Sequence, residues 1–211
     1  MRKLLLALVV LVGLLVAADR VTVHYVDKAL ADRMQESGHL DNRPTVAVEG
    51  FPFLTQAFRG RYDRTVVHIK DENRSGLTIS RLDVTVIDAR IPLSKVRSTT
   101  DVPVRDLEAT AVLSYYELGR RSGIAGLTVR PQGGKVQVTG KVAGVSATVA
   151  ATVRLDGDRV VVSTLRGLLD FSVRIPALPY GLRLRTASAQ GDGVHLTASS
   201  GPTVLSSRSF T

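Results

Sequence analysis

Over residues 77–89 apolar side chains recur at every second position, Leu77 and Ile79 on one parity, then Leu82, Val84 and Val86 on the other. A period of two dictates a strand with one face turned to a core, and the change of parity predicts a bulge near Ser80 and Arg81. At ~3.3 Å per residue the run extends about 40 Å, more than a small sandwich needs. Long bulged strands favour a sheet that curves and wraps. The rest of the chain beyond Pro52 carries the same punctuation. Alternating runs at 64–70, 106–114, 127–130, 135–141, 145–155, 159–163, 182–189 and 194–199 are separated by polar or glycine-rich turns at 71–76, 131–134, 156–158 and 190–193. Residues 115–123 read as one or two helical turns, with Arg120 and Arg121 at the end that favours cations. Residues 166–176 are mostly apolar and less regular, and the small polar tail from 200 onward gives no strong signal.

The N-terminus has a different pattern. Met1, Arg2 and Lys3 lead into an unbroken apolar or small run, residues 4–18, that closes Val16-Ala17-Ala18 before Asp19. A positive start, an apolar middle and a small-residue exit make an export signal. As a helix the run would reach ~22 Å against a hydrocarbon core of ~30 Å. Cleavage between Ala18 and Asp19 and retention as an anchor both remain open, and both place the body outside the cytoplasm. Residues 19–38 predict an amphipathic helix with Val23, Val26, Leu30 and Met34 on one face, Asp19 as its cap and Gly38 as its stop. A chain of 211 residues accommodates one domain over 19–211 with a sizeable core, and no linker divides it.

Charge narrows the partners. Lys and Arg number 28 against 19 Asp and Glu, a net charge of +9 that favours anionic partners. No nucleic-acid motif or localised basic tract accompanies the excess, so nucleic acid is not expected. The densest stretch is residues 49–62, EGFPFLTQAFRGRY, with Phe51, Phe53 and Phe58 around Pro52 and ahead of Arg59, Arg61 and Tyr62. Two readings fit it: an aromatic knot that closes a core, or an apolar lip with a cationic rim that admits acyl tails and holds anionic head groups.

GFPFLTQ, residues 50–56, followed by Gly60, Arg61 and Tyr62, resembles the signature of the LmeA-type phospholipid-binding envelope proteins. Leu178, Pro179, Tyr180, Gly181, Leu182 and Arg183, with a hairpin leading to Gly193 and Val194, resemble the family's C-terminal segment. The resemblance implies an α+β, tubular lipid-binding-like fold, in which the N-terminal amphipathic helix is wrapped by a long, strongly curved antiparallel sheet. It further implies noncatalytic binding, or transfer, of anionic phospholipid at the membrane surface, in support of lipoglycan or envelope assembly, together with envelope-biosynthesis proteins as partners. On that reading Leu30, Met34, Phe51, Phe53, Leu54, Phe58, Tyr180 and Leu182 line the tail groove, and Arg59, Arg61 or Arg64 contacts the head group.

Catalytic and metal chemistry leaves no trace in the residues. There is no cysteine, so thiol nucleophiles and Cys-based metal sites are excluded. His24, His39, His68 and His195 are scattered, and none pairs with another at the spacing of a zinc helix. No G-x-S-x-G elbow occurs, and neither Gly133-Gly134-Lys135 nor Gly191-Asp192-Gly193 opens a helix after a buried strand, as a phosphate loop would. No cofactor is therefore expected. Two alternatives stand beside lipid binding: an envelope adaptor acting through protein contacts with a filled interior, and a hydrolase whose carboxylates converge only in the fold.

Overall fold

The computed structural model describes residues 2–38, 40–74, 76–92, 101–164 and 167–206. It is an α+β chain: an N-terminal helix α1 (Arg2–Gly38), short helices α2 (Phe53–Arg59) and α3 (Tyr115–Arg120), and antiparallel sheets. Among the described residues the strands form three sheets rather than one. The chain divides into two compact units, the division falling inside three strands, between His68 and Ile69, between Val84 and Thr85 and between Leu107 and Glu108.

The first unit holds α1, α2 and β1 (Thr45–Glu49), which pairs antiparallel with β2 (Arg61–Arg74) so that Val46 faces Val67 and Val48 faces Thr65. Val46, Val48, Phe53, Val66 and Val67 are buried there, as are Val86 and Ala89 of β3 (Leu77–Arg90). Asp27 on α1 accepts a hydrogen bond from the Val48 amide at 2.8 Å, which fixes the helix to the edge strand of its sheet. Ala31 is buried one turn further on, on the same face of the helix. β4 (Asp101–Val104) pairs with β13 (Thr203–Ser206), so the tail, which gave no sequence signal, supplies a strand. Its partner is distant in sequence, and no local pattern could reveal the pairing.

The second unit packs β6 (Thr128–Gln132), β7 (Lys135–Val142), β8 (Val145–Asp156), β9 (Arg159–Thr164) and β10 (Phe171–Arg174) as a five-stranded sheet in the order β10-β9-β8-β7-β6. Val136, Val138, Val160 and Val162 point inward and are fully buried, as period two requires. β5 (Asp106–Leu113), β12 (Val194–Ser199) and β11 (Arg183–Ala189) complete the six-stranded sheet, in the order β1-β2-β3-β5-β12-β11. Gly193 fits beneath β5, where a Cβ would lie 2.6 Å from the Leu113 carbonyl oxygen.

Local details differ from the sequence reading. α1 does not restart at Asp19, because nothing between Leu15 and Val21 breaks a helix, so Asp19 is not its cap. Of the turn expected over 71–76, residues 71–74 belong to β2 and Ser75 lies outside the described residues, with β3 starting at Leu77. The irregular stretch 166–176 contains β10, although Arg166 lies outside the described residues. Asp71 and Asp88 take left-handed backbone, φ 51° and 54°, a conformation that Asp tolerates better than most residues.

Candidate functional site

Residues 49–62 are pinned by short-range contacts. Gly50 has φ 105°, and a Cβ on it would lie 2.4 Å from the Gln56 side-chain nitrogen. Gln56 is buried, donates through Nε2 to the Glu49 carbonyl at 3.2 Å and accepts at Oε1 from the Asp63 amide at 2.9 Å. One side chain therefore ties the end of β1 to the start of β2. Pro52, which begins α2 after a cis Phe51–Pro52 bond, has no side-chain acceptor for the free amides of the first turn. Asp19 of α1 supplies it: its Oδ1 accepts from the Leu54 amide at 2.8 Å. Asp19 is 2% exposed, and its Oδ2 has no hydrogen-bond partner among the described residues. At the other end Gly60 closes α2 with φ 63°, and its carbonyl accepts from the Ile91 amide at 2.9 Å.

This frame sorts the aromatic cluster. Phe53 is 3% exposed and packs against Tyr62, ring centroids 6.2 Å apart. Phe51, Leu54 and Phe58 are 58%, 41% and 85% exposed. Leu54 and Phe58, four apart, share one face of α2, and Phe51 lies under the Arg20 guanidinium, 4.9 Å from its ring centroid. The stretch is thus a core knot at Phe53 and an exposed apolar ridge at its three neighbours.

The three basic candidates separate in the same way. Arg61 grips Asp88 with two hydrogen bonds, Nε to Oδ1 at 2.6 Å and Nη2 to Oδ2 at 3.1 Å, while Arg90 donates to Oδ2 at 3.2 Å. The Arg90 hydrogen bond, followed by that of Arg61, holds the Asp88 carboxyl below its ordinary pKa against the opposing effect of burial. Arg64 pairs with Glu49 at 3.1 Å, both half exposed. Arg59 is exposed and has no acidic partner among the described residues. Of the remaining tail candidates, Leu30 is exposed on α1 and Met34 half-buried. Tyr180, at φ 57°, and Leu182 are half-buried and belong to the second unit.

Elsewhere Arg120 and Arg121 are engaged. Both donate to the buried Glu117 carboxylate, at 2.7 and 3.2 Å, and Arg121 also donates to the Gly76 carbonyl. His195 pairs with Asp192 at 2.7 Å, and no cluster of three metal-ligating side chains occurs among the described residues. A cleft of about 270 Å3 is lined by Arg90, Pro103, Val104, Arg105 and Pro202. It is smaller than the ~300–1,000 Å3 of a site that encloses a drug-sized ligand.

Sequence reasoning missed Asp88, whose partner Arg61 lies 27 positions away, and the role of Asp19. A charged residue closing an apolar run is a visible signal, but what it caps is settled only when the helices meet.

A family model of LmeA-like phospholipid-binding proteins matches residues 17–199. The chain belongs to this family. The match takes in both the 49–62 stretch and the segment from Leu178 to Val194. No curated protein and no solved structure matches the chain. The LmeA-like family is defined by binding rather than by catalysis, and phospholipid is the ligand its name carries. The apolar N-terminal half of α1 is compatible with an export signal or a membrane anchor.

Proposed function

We propose that this chain binds anionic phospholipid without chemical turnover, on the outer face of the cytoplasmic membrane or in a periplasm-like space, and serves envelope or lipoglycan assembly. The observation that carries the reading is the match to the LmeA-like family over residues 17–199. The exposed ridge of Phe51, Leu54 and Phe58 beside the exposed Arg59, which has no acidic partner among the described residues, supports it. Acyl chains transferred onto such a ridge gain up to ~0.8 kcal/mol per CH2 removed from water, and a guanidinium matches the geometry of a phosphate better than an ammonium does. Arg61 and Arg64 are already held by Asp88 and Glu49, so Arg59 takes the head group. Strands as long as β2 and β3 suit the curved wall of a tubular lipid-binding fold, with Leu30 and Met34 along it.

Calorimetric titration of the full chain with short-chain, water-soluble phospholipids tests this. Saturable binding is expected, tighter for phosphatidylglycerol than for phosphatidylcholine, with Arg59→Ala narrowing the difference and Phe58→Ser weakening both. No saturable heat with either lipid would sink the proposal.

A further inference from the structure

We infer that Phe51, Leu54 and Phe58 seat the first unit on an anionic bilayer surface, at the level where the apolar half of α1 leaves the protein. The inference concerns the bilayer as a whole and stands whether or not the chain also carries a lipid.

Three observations point there. The first is the course of α1: from Leu6 to Val16 its large apolar side chains are exposed, and the helix is long and apolar enough to cross a membrane. The second is where that run meets protein. Asp19, the first buried side chain of α1 among the described residues, accepts from the Leu54 amide, and Arg20 covers the Phe51 ring. The ridge therefore lies against the turn of α1 that follows the apolar run, and a bilayer that takes in the run meets the ridge at its surface. The third is the chemistry of the rim. Arg20 and Arg59 flank the ridge and are exposed, which complements anionic head groups. Tyr25, 68% exposed and edge-on to His24, stands on α1 beyond Arg20, the kind of ring that collects at membrane interfaces. Phe51 and Phe58 have no polar handle and gain most by dipping ~5–10 Å into the boundary between head groups and acyl chains, as interfacial helices do.

The chain contains no tryptophan, so Phe58→Trp gives a single reporter at an 85% exposed position, and Phe51→Trp gives a second should the first perturb folding. Each full-length variant is reconstituted in phosphatidylcholine–phosphatidylglycerol vesicles containing lipid brominated either high on the acyl chain or near its methyl end. A parallel sample in amphipol receives one equivalent of the same brominated lipid. Docking predicts a blue shift and loss of fluorescence in vesicles, stronger with the high bromine, and a clearly smaller loss in amphipol, where only a carried lipid can quench. Equal loss in both samples would mean that the residue contacts a carried lipid, and would overturn docking while supporting the proposed function. No loss in either would overturn docking and assign the ridge to a protein partner or a second copy of the chain.

Discussion

Asp19 reaches across from α1 to cap α2, and a pair of substitutions separates that contact from the rest of the helix. Asp19→Ala leaves the Leu54 amide without its acceptor and is expected to cost about 1–2 kcal/mol, within the range for lost N-caps; Asp19→Asn keeps an acceptor and should cost less. Urea unfolding of the full chain measures both. A second pair tests how the aromatic cluster divides. Phe53→Ala should cost ~3–5 kcal/mol as a buried ring is lost, whereas Phe58→Ser, at an exposed position, should change stability by ~0.5 kcal/mol or less. Equal losses would refute the division into knot and ridge. The sequence marked all three phenylalanines but not which would be buried. That depends on Asp19 and Gln56 orienting α2, and both act through contacts with other elements.

At the scale of elements, the two ends of short helices decide much. Ser114 begins α3, and its hydroxyl accepts from the Glu117 amide at 3.2 Å, the first half of a capping box that Ser-x-x-Glu announces in sequence. The Glu117 carboxylate turns instead to Arg120 and Arg121. Burial raises its pKa, but the hydrogen bonds from the two arginines outweigh burial and hold it below the ordinary glutamate value near 4.5. A depressed folded pKa means that the unfolded chain binds the proton more readily. The pairing therefore stabilises the fold above about pH 4.5, and its contribution is lost as pH falls through the lower folded value. Glu117→Gln should lower stability at neutral pH by roughly 1–2 kcal/mol, with the gap to the parent closing in acid; a gap independent of pH would contradict the pairing. At α2, Gly60→Ala must hold φ 63° and place a Cβ 2.8 Å from Pro92 Cα, so a loss of about 1–3 kcal/mol is expected in the same unfolding assay.

Across the whole molecule, what was legible in the residues was local. Alternation placed β3, β7, β8, β9, β11 and β12 close to their observed spans, because a strand buried on one face writes its period into the sequence. Partition into sheets was not legible: β4 finds β13, and β12 finds β5, across long stretches of chain. The continuity of α1 was hidden by a cleavage pattern that carries no helix breaker. For the site, the 49–62 stretch and its family resemblance were readable, and the match over residues 17–199 bears out the family. The commitment of Arg61 to Asp88 and of Arg64 to Glu49 was not, because both pairs form only in the folded chain. The most direct measurement is mass spectrometry of the lipids that co-purify with the full-length chain, compared with the bulk lipid of the same membrane. The expected result is enrichment of an anionic phospholipid that falls in a Phe58→Ser, Arg59→Ala variant of unchanged stability. A lipid profile identical to the bulk membrane, for parent and variant alike, would contradict it.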